Sequence, residues 1–149
     1  MATTAVDRAS IDTNMLVRST IPEAPLHREA LRAIGALGAA GTELWIRRQV
    51  IREYLAVLSR PQTFTPALTS LDLRRHVERF LRAFRIADED ERVTERLLDL
   101  LDRFPAGGKQ VHDANIVATM LVNGIPRLVT QNVADFARFA SVIEVVPLA

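Results

Sequence analysis

The sequence predicts an α/β fold, a parallel sheet with helices on both faces, and three observations carry that reading. Short apolar runs bounded by turn residues alternate with stretches whose apolar residues recur at three- and four-residue spacing, so strands and helices take turns along the chain. Parallel neighbours in such an arrangement need right-handed crossovers, and these put helices on the outside. Polar and acidic residues follow two of the apolar runs, Asp12 after one and Thr130, Asn132 and Asp135 after another. In open parallel sheets that is where ligands bind.

Composition narrows the function. A chain of 149 residues that is 48% hydrophobic suits one domain spanning residues 1–149. No apolar run approaches the roughly 18 residues of a membrane span, and Met1–Asp7 lacks the basic-then-apolar pattern of a signal peptide. A soluble, cytoplasmic protein with no membrane partner is expected. The absence of cysteine excludes disulfides, thiol catalysis and thiolate metal sites, which leaves oxygen or imidazole ligands and favours hard cations. A net charge of +1 gives no global argument for binding a polyanion, so any such partner needs a local patch.

The elements follow in order. Ala9–Ile11 reads as a strand ending at Asp12, a residue whose side chain also suits a helix N-cap. Pro22 and Pro25 precede a helix from about Leu26 to Ala40, with Ala30, Leu31, Ile34 and Leu37 inward and Gly41 beyond its end. Glu43–Ile46 reads as a strand, and Arg47–Ser59 as a helix with Val50, Ile51, Tyr54, Leu55 and Leu58 on its apolar face. Glu53 lies beside that face, where a boundary ion pair with Arg52 or Arg60 is the plainer role. A polar loop, Gln62–Ser70, leads to a helix over Leu71–Phe84 with Leu73, Val77, Phe80, Leu81 and Phe84 inward. Its outer face carries Arg75, Arg79 and Arg82, ordinarily a solvated surface paired with Asp72 and Glu78.

Arg85-Ile86 reads as a brief edge strand. Asp88 and Glu91 have capping-box spacing for a helix that turns Val93, Leu97, Leu98, Leu101 and Phe104 inward and stops before Pro105. After the connector Gly107-Gly108-Lys109, a helix is expected to begin at Asp113, with Ala114, Val117, Ala118 and Leu121 inward and Asn123-Gly124 ending it. Leu128-Val129 is a buried strand, the acidic loop to Phe136 follows, and Ser141–Val146 is the last strand.

This order brings Asp12, Asp113 and Asp135 to one edge of the sheet, with Glu53 on a helix nearby. Like charges at close range cost about 1 to 4 kcal/mol per pair, so such a cluster calls for a cation. Oxygen-only ligands select Mg²⁺ or Mn²⁺, and the chemistry that needs them is phosphodiester hydrolysis. The three histidines have no ligand spacing to one another, and His112 is the one beside the acids.

The motifs Ile11-Asp12-Thr13-Asn14, Glu53, Val111-His112-Asp113-Ala114 and Leu128-Val129-Thr130-Gln131-Asn132-Val133-Ala134-Asp135-Phe136 resemble those of PIN-domain nucleases, and VapC-type toxins of bacterial toxin–antitoxin pairs most. Each motif is weak alone, but four in order across nearly the whole chain are specific. The resemblance implies a PIN-like α/β/α sandwich with a five-stranded parallel sheet, RNA cleavage dependent on Mg²⁺ or Mn²⁺, a cognate antitoxin and a homodimer. It assigns Asp12, Glu53 and Asp113 to the metal site, Asp135 to the acid before the last motif's phenylalanine, and Asn14 and Thr130 to supporting polar positions. Asn132 stands where many members have an aspartate, and would be a neutral ligand there. A catalytically silent RNA- or protein-binding module and a PIN ribonuclease outside any toxin pair remain open. A haloacid-dehalogenase-type phosphatase fits poorly, because it wants an aspartate where Asn14 stands.

Overall fold

The computed structural model describes residues 5–61 and 66–148. Gln62–Thr65 of the loop after Pro61 and the first four residues lie outside them. Five parallel strands form one sheet in the order β3-β2-β1-β4-β5: β1 is Arg8–Ile11, β2 Glu43–Arg47, β3 Arg85–Ala87, β4 Arg127–Val129 and β5 Glu144–Val146. From β1 the chain steps outward through β2 to β3, then crosses back to β4 and β5. Strand order therefore reverses between β1 and β4, and a crevice opens beyond their carboxyl ends.

Strand alternation divides the core in two. Ala9, Ile11, Leu44, Ile46, Ile86, Val129 and Val146 pack on one face of the sheet, while Trp45, Ala87, Leu128 and Val145 pack on the other. The first face is covered by α1 (Thr13–Thr20), α2 (His27–Ala39), α3 (Arg48–Leu58) and α4 (Ser70–Ala83). The second is covered by α5 (Glu91–Arg103), α6 (Lys109–Val122) and the short α7 (Val133–Phe136). Right-handed crossovers running in opposite directions require this split, and the expected three-layer α/β/α sandwich is what forms.

Several element boundaries differ from the sequence reading. The helix expected to begin at Asp113 begins at Lys109, four residues earlier, behind Gly108 at φ 58°, ψ −130°. That backbone suits glycine, and once it has turned the chain nothing in Lys109–His112 opposes a helix. Asp113 is thus an interior helical residue. The cap of α5 is Asp90, whose Oδ1 accepts the Arg92 N–H at 3.0 Å, and not Asp88, which pairs with Arg48. Leu98 and Leu81, expected inward, are 59% and 48% exposed, and Leu31 is exposed too. In α5 Leu100 takes the buried place expected of Leu98, while Val93, Leu97, Leu101 and Phe104 turn inward as expected. The last strand is only Glu144–Val146, because Ala137–Phe139 winds into a 3₁₀ turn that buries Phe139.

Candidate active site

At the reversal of strand order β1 ends in Asp12. The residue caps α1, its Oδ1 accepting the Thr13 N–H at 2.9 Å, so the cap role is real and leaves Oδ2 free for others. Thr130, fully buried just past β4, donates its hydroxyl to that Oδ2 at 2.9 Å and accepts the Asn132 N–H at 3.0 Å. Its own N–H is held by the Val146 carbonyl at 3.1 Å. Thr130 is therefore fixed at both ends and fixes Asp12 in turn.

Glu53 reaches the same place from the second turn of α3. Among the described residues it makes neither of the plainer boundary ion pairs, with Arg52 or Arg60; its Oε2 accepts the Thr13 hydroxyl and its Oε1 accepts Gln49 Nε2 at 2.7 Å. Asp113 faces the crevice from α6. Burial, then the charge of Asp135, pushes its carboxyl above the ordinary 3.8; Lys109 and Arg138 oppose that, and Asp12 adds to it. Asp135 lies exposed in α7. Asp135 and Asp12 both act on Asp113, while Glu53 is linked to Asp12 and Asp113 only through Arg47, on which all three act.

The other two sequence-derived positions contribute less. Asn132 is exposed at the start of α7, and what ties it to the site is its backbone N–H. Asn14 makes no side-chain hydrogen bond to the acids among the described residues, and its neighbour Thr13 fills that supporting role. His112 is exposed, and His27 and His76 bond to the Arg18 carbonyl and to the Tyr54 hydroxyl, away from the acids.

Arg47 is the residue that sequence reasoning missed. Read as the first residue of a helix, it is in fact the last residue of β2, and alternation turns it to the Trp45 side of the sheet. Only 4% of it is exposed. Burial pulls its proton affinity down, while Asp12, Glu53, Glu89 and Asp113 hold the proton on. Its guanidinium lies 3.5 Å from Asp12 Oδ1 and 3.4 Å from Gln49 Oε1. The contacts close a ring: Asp12, Arg47, Gln49, Glu53, Thr13 and back to Asp12. A charged residue just after three apolar strand residues was the available signal, since period-two alternation carries it inward.

These donors fit a hard divalent cation in kind, since they are carboxylate and hydroxyl oxygens. In placement they are spread out, and among the described residues no three acids or histidines stand close enough to hold one ion between them. Asp12 and Glu53 are turned to internal donors instead.

A model of the PIN domain matches residues 9–142. This chain belongs to the PIN domain family. No curated protein matches it, but solved structures do. A toxin–antitoxin complex from Klebsiella pneumoniae superposes with a TM-score of 0.64 at 23% identity, over 95% of this chain and 98% of that one. The VapBC complex of Rickettsia felis bound to a fragment of its promoter gives 0.65 at 17%, over 94% and 98%. A sarcin–ricin-loop-cleaving VapC toxin of Mycobacterium tuberculosis gives 0.57 at 18%, over 80% and 86%. At these identities the superpositions establish a shared PIN fold.

Proposed function

We propose that this PIN domain is a metal-dependent endoribonuclease and the toxin of a type II toxin–antitoxin pair. The observation that carries the reading is the acid-rich crevice at the reversal of strand order, where burial and then Asp135 push Asp113 up while Thr13 and Thr130 aim Glu53 and Asp12. Asp12, Glu53, Asp113 and Asp135 would hold Mg²⁺ or Mn²⁺. When bound, such an ion supplies Lewis-acid polarisation of a phosphodiester and acidifies water for in-line attack. The chain's own residues position it. Buried Thr130 fixes the Asp12 carboxylate, Thr13 and Gln49 fix Glu53, and Lys109 and Arg138 put positive charge beside Asp113 where backbone phosphates of RNA would approach.

A cognate antitoxin accompanies this reading, since structures with this fold include toxin–antitoxin complexes, and a homodimer is proposed from the family resemblance alone. A cytoplasmic place suits it, and among the described residues no helix is long and apolar enough to cross a membrane. A second reading, a silent RNA- or protein-binding module, draws on the spread of the acids and on Asn132 standing exposed. One experiment separates them. Purified protein incubated with a generic RNA should cleave it with Mn²⁺ or Mg²⁺, stop with chelator, and lose at least 10²-fold in rate on Asp12→Asn or Asp113→Asn. Binding without metal-dependent cleavage selects the silent module.

A further inference from the structure

A buried guanidinium in the middle of an acidic crevice is an unusual expense. Arginine stays charged whatever its surroundings, and burying that charge costs several kcal/mol unless opposite charge repays it. Arg47 is nearly enclosed, yet its two side-chain contacts, to Asp12 at 3.5 Å and to Gln49 at 3.4 Å, sit at the long limit of hydrogen bonding. Attraction to the surrounding acids, and not a tight fork onto any one of them, holds it there. Asp12, Glu53, Glu89 and Asp113 all act on it. The same charge that steadies these acids lowers their attraction for any other cation.

We propose that Arg47 is the resident counter-cation of the acidic crevice: it stabilises Asp12 and Glu53 when no divalent ion is bound and competes with that ion for Asp12. The proposal rests on the reading that the crevice takes Mg²⁺ or Mn²⁺. Two consequences follow from geometry. Because Arg47 and Asp12 lie at the carboxyl ends of β2 and β1, which pair directly, the guanidinium need only swing within its own crevice to release Asp12. Because Gln49 bonds both Arg47 and Glu53, a shift of Arg47 is passed to Glu53 through one amide. Arg47 is thus a positioning residue that sets the metal concentration at which the crevice fills.

The test is Mn²⁺ binding by calorimetry and thermal shift on chelator-stripped protein, for wild type, Asp12→Asn, Arg47→Gln and Arg47→Lys. Removing a full positive charge a few ångströms from the ion should tighten Mn²⁺ by at least about tenfold. Arg47→Gln should therefore melt lower than wild type without metal, gain more from Mn²⁺ and half-saturate at a tenth of the concentration or less. Arg47→Lys, whose shorter ammonium recedes from Asp12, should fall between. Equal or weaker Mn²⁺ binding by Arg47→Gln, in a background where wild type binds and Asp12→Asn does not, overturns the inference and leaves the nuclease reading intact. If wild type shows no Mn²⁺ binding, a site gained by Arg47→Gln and lost again with Asp12→Asn supports the inference as near-complete competition. Silence in every variant overturns both. If Arg47→Gln yields soluble protein only with Mn²⁺ present, that supports the inference. If it is insoluble throughout, Arg47→Lys decides, and wild-type Mn²⁺ affinity in that variant overturns it.

Discussion

At the scale of the residue, two side chains show how the crevice trades stability for charge. Asp113's folded-state pKa is raised above the 3.8 of a free aspartate, first by burial and then by Asp135. The folded state therefore binds that proton more tightly than the unfolded chain does. The stability this confers is fully present below about pH 3.8 and is lost as pH rises through the folded value. Asp113→Asn cannot ionise, so in chelator it should melt above wild type at pH 7, and the two should converge near pH 3.5. A gap that ignores pH would mean the substitution acts through packing alone. Thr130 tells the opposite story: its hydroxyl serves Asp12 and the Asn132 N–H at once. Thr130→Val, close in shape, should cost about 1–3 kcal/mol in urea unfolding, because it leaves a polar partner unserved. Asp12 and Asp113 were legible as candidates from chain order, and Glu53 and Thr130 from the motif resemblance. Gln49 and Thr13 were not, because a ring of contacts across three elements leaves no spacing in the sequence, and Arg47 left only its place after three apolar strand residues.

At the scale of the element, periodicity located every strand and every long helix among the described residues, and it failed at the edges of an apolar stripe. In α5 both Leu98 and Leu100 lie among apolar neighbours, and packing against α6 decides that Leu100 is buried. Leu98→Lys should change stability by less than about 0.5 kcal/mol, while Leu100→Ala should cost about 2–5. Chemical denaturation of the pair checks the phase directly. The start of α6 was misplaced for a different reason. A glycine at positive φ sets it, and Gly107 and Gly108 together looked like a loose connector. Gly108→Ala has open space for a methyl group but the wrong φ, so strain alone should cost about 1–3 kcal/mol. If the midpoint does not move, α6 is held by packing and not by its entry turn.

At the scale of the whole molecule, the alternation of short strands with helices was enough for the α/β class, and the four motifs in order were enough for the PIN family. Strand order was not readable from the elements themselves. It follows only from the handedness of crossovers together with the division of helices into two layers, and that division depends on the face to which each strand's residues point. The reversal between β1 and β4 then makes the crevice a meeting of distant parts: Asp12 and Thr130 are 118 positions apart and joined by one hydrogen bond.

That separation gives the molecule a schedule. Synthesis delivers Asp12 first and Glu53 soon after, but Thr130 takes its place only when β4 pairs with β1 and the Val146 carbonyl clamps the Thr130 N–H. A growing chain holds Asp12 and Glu53 through Thr13, Arg47 and Gln49 but lacks the Thr130 hydroxyl that fixes Asp12 Oδ2, so on the proposed nuclease reading the crevice stays incomplete until the last strands have emerged. Nascent chains stalled before residue 127 should be inert toward RNA in Mn²⁺, and activity should arise only once residues through 146 are free. Cleavage by the stalled chains would show that the crevice works without β4.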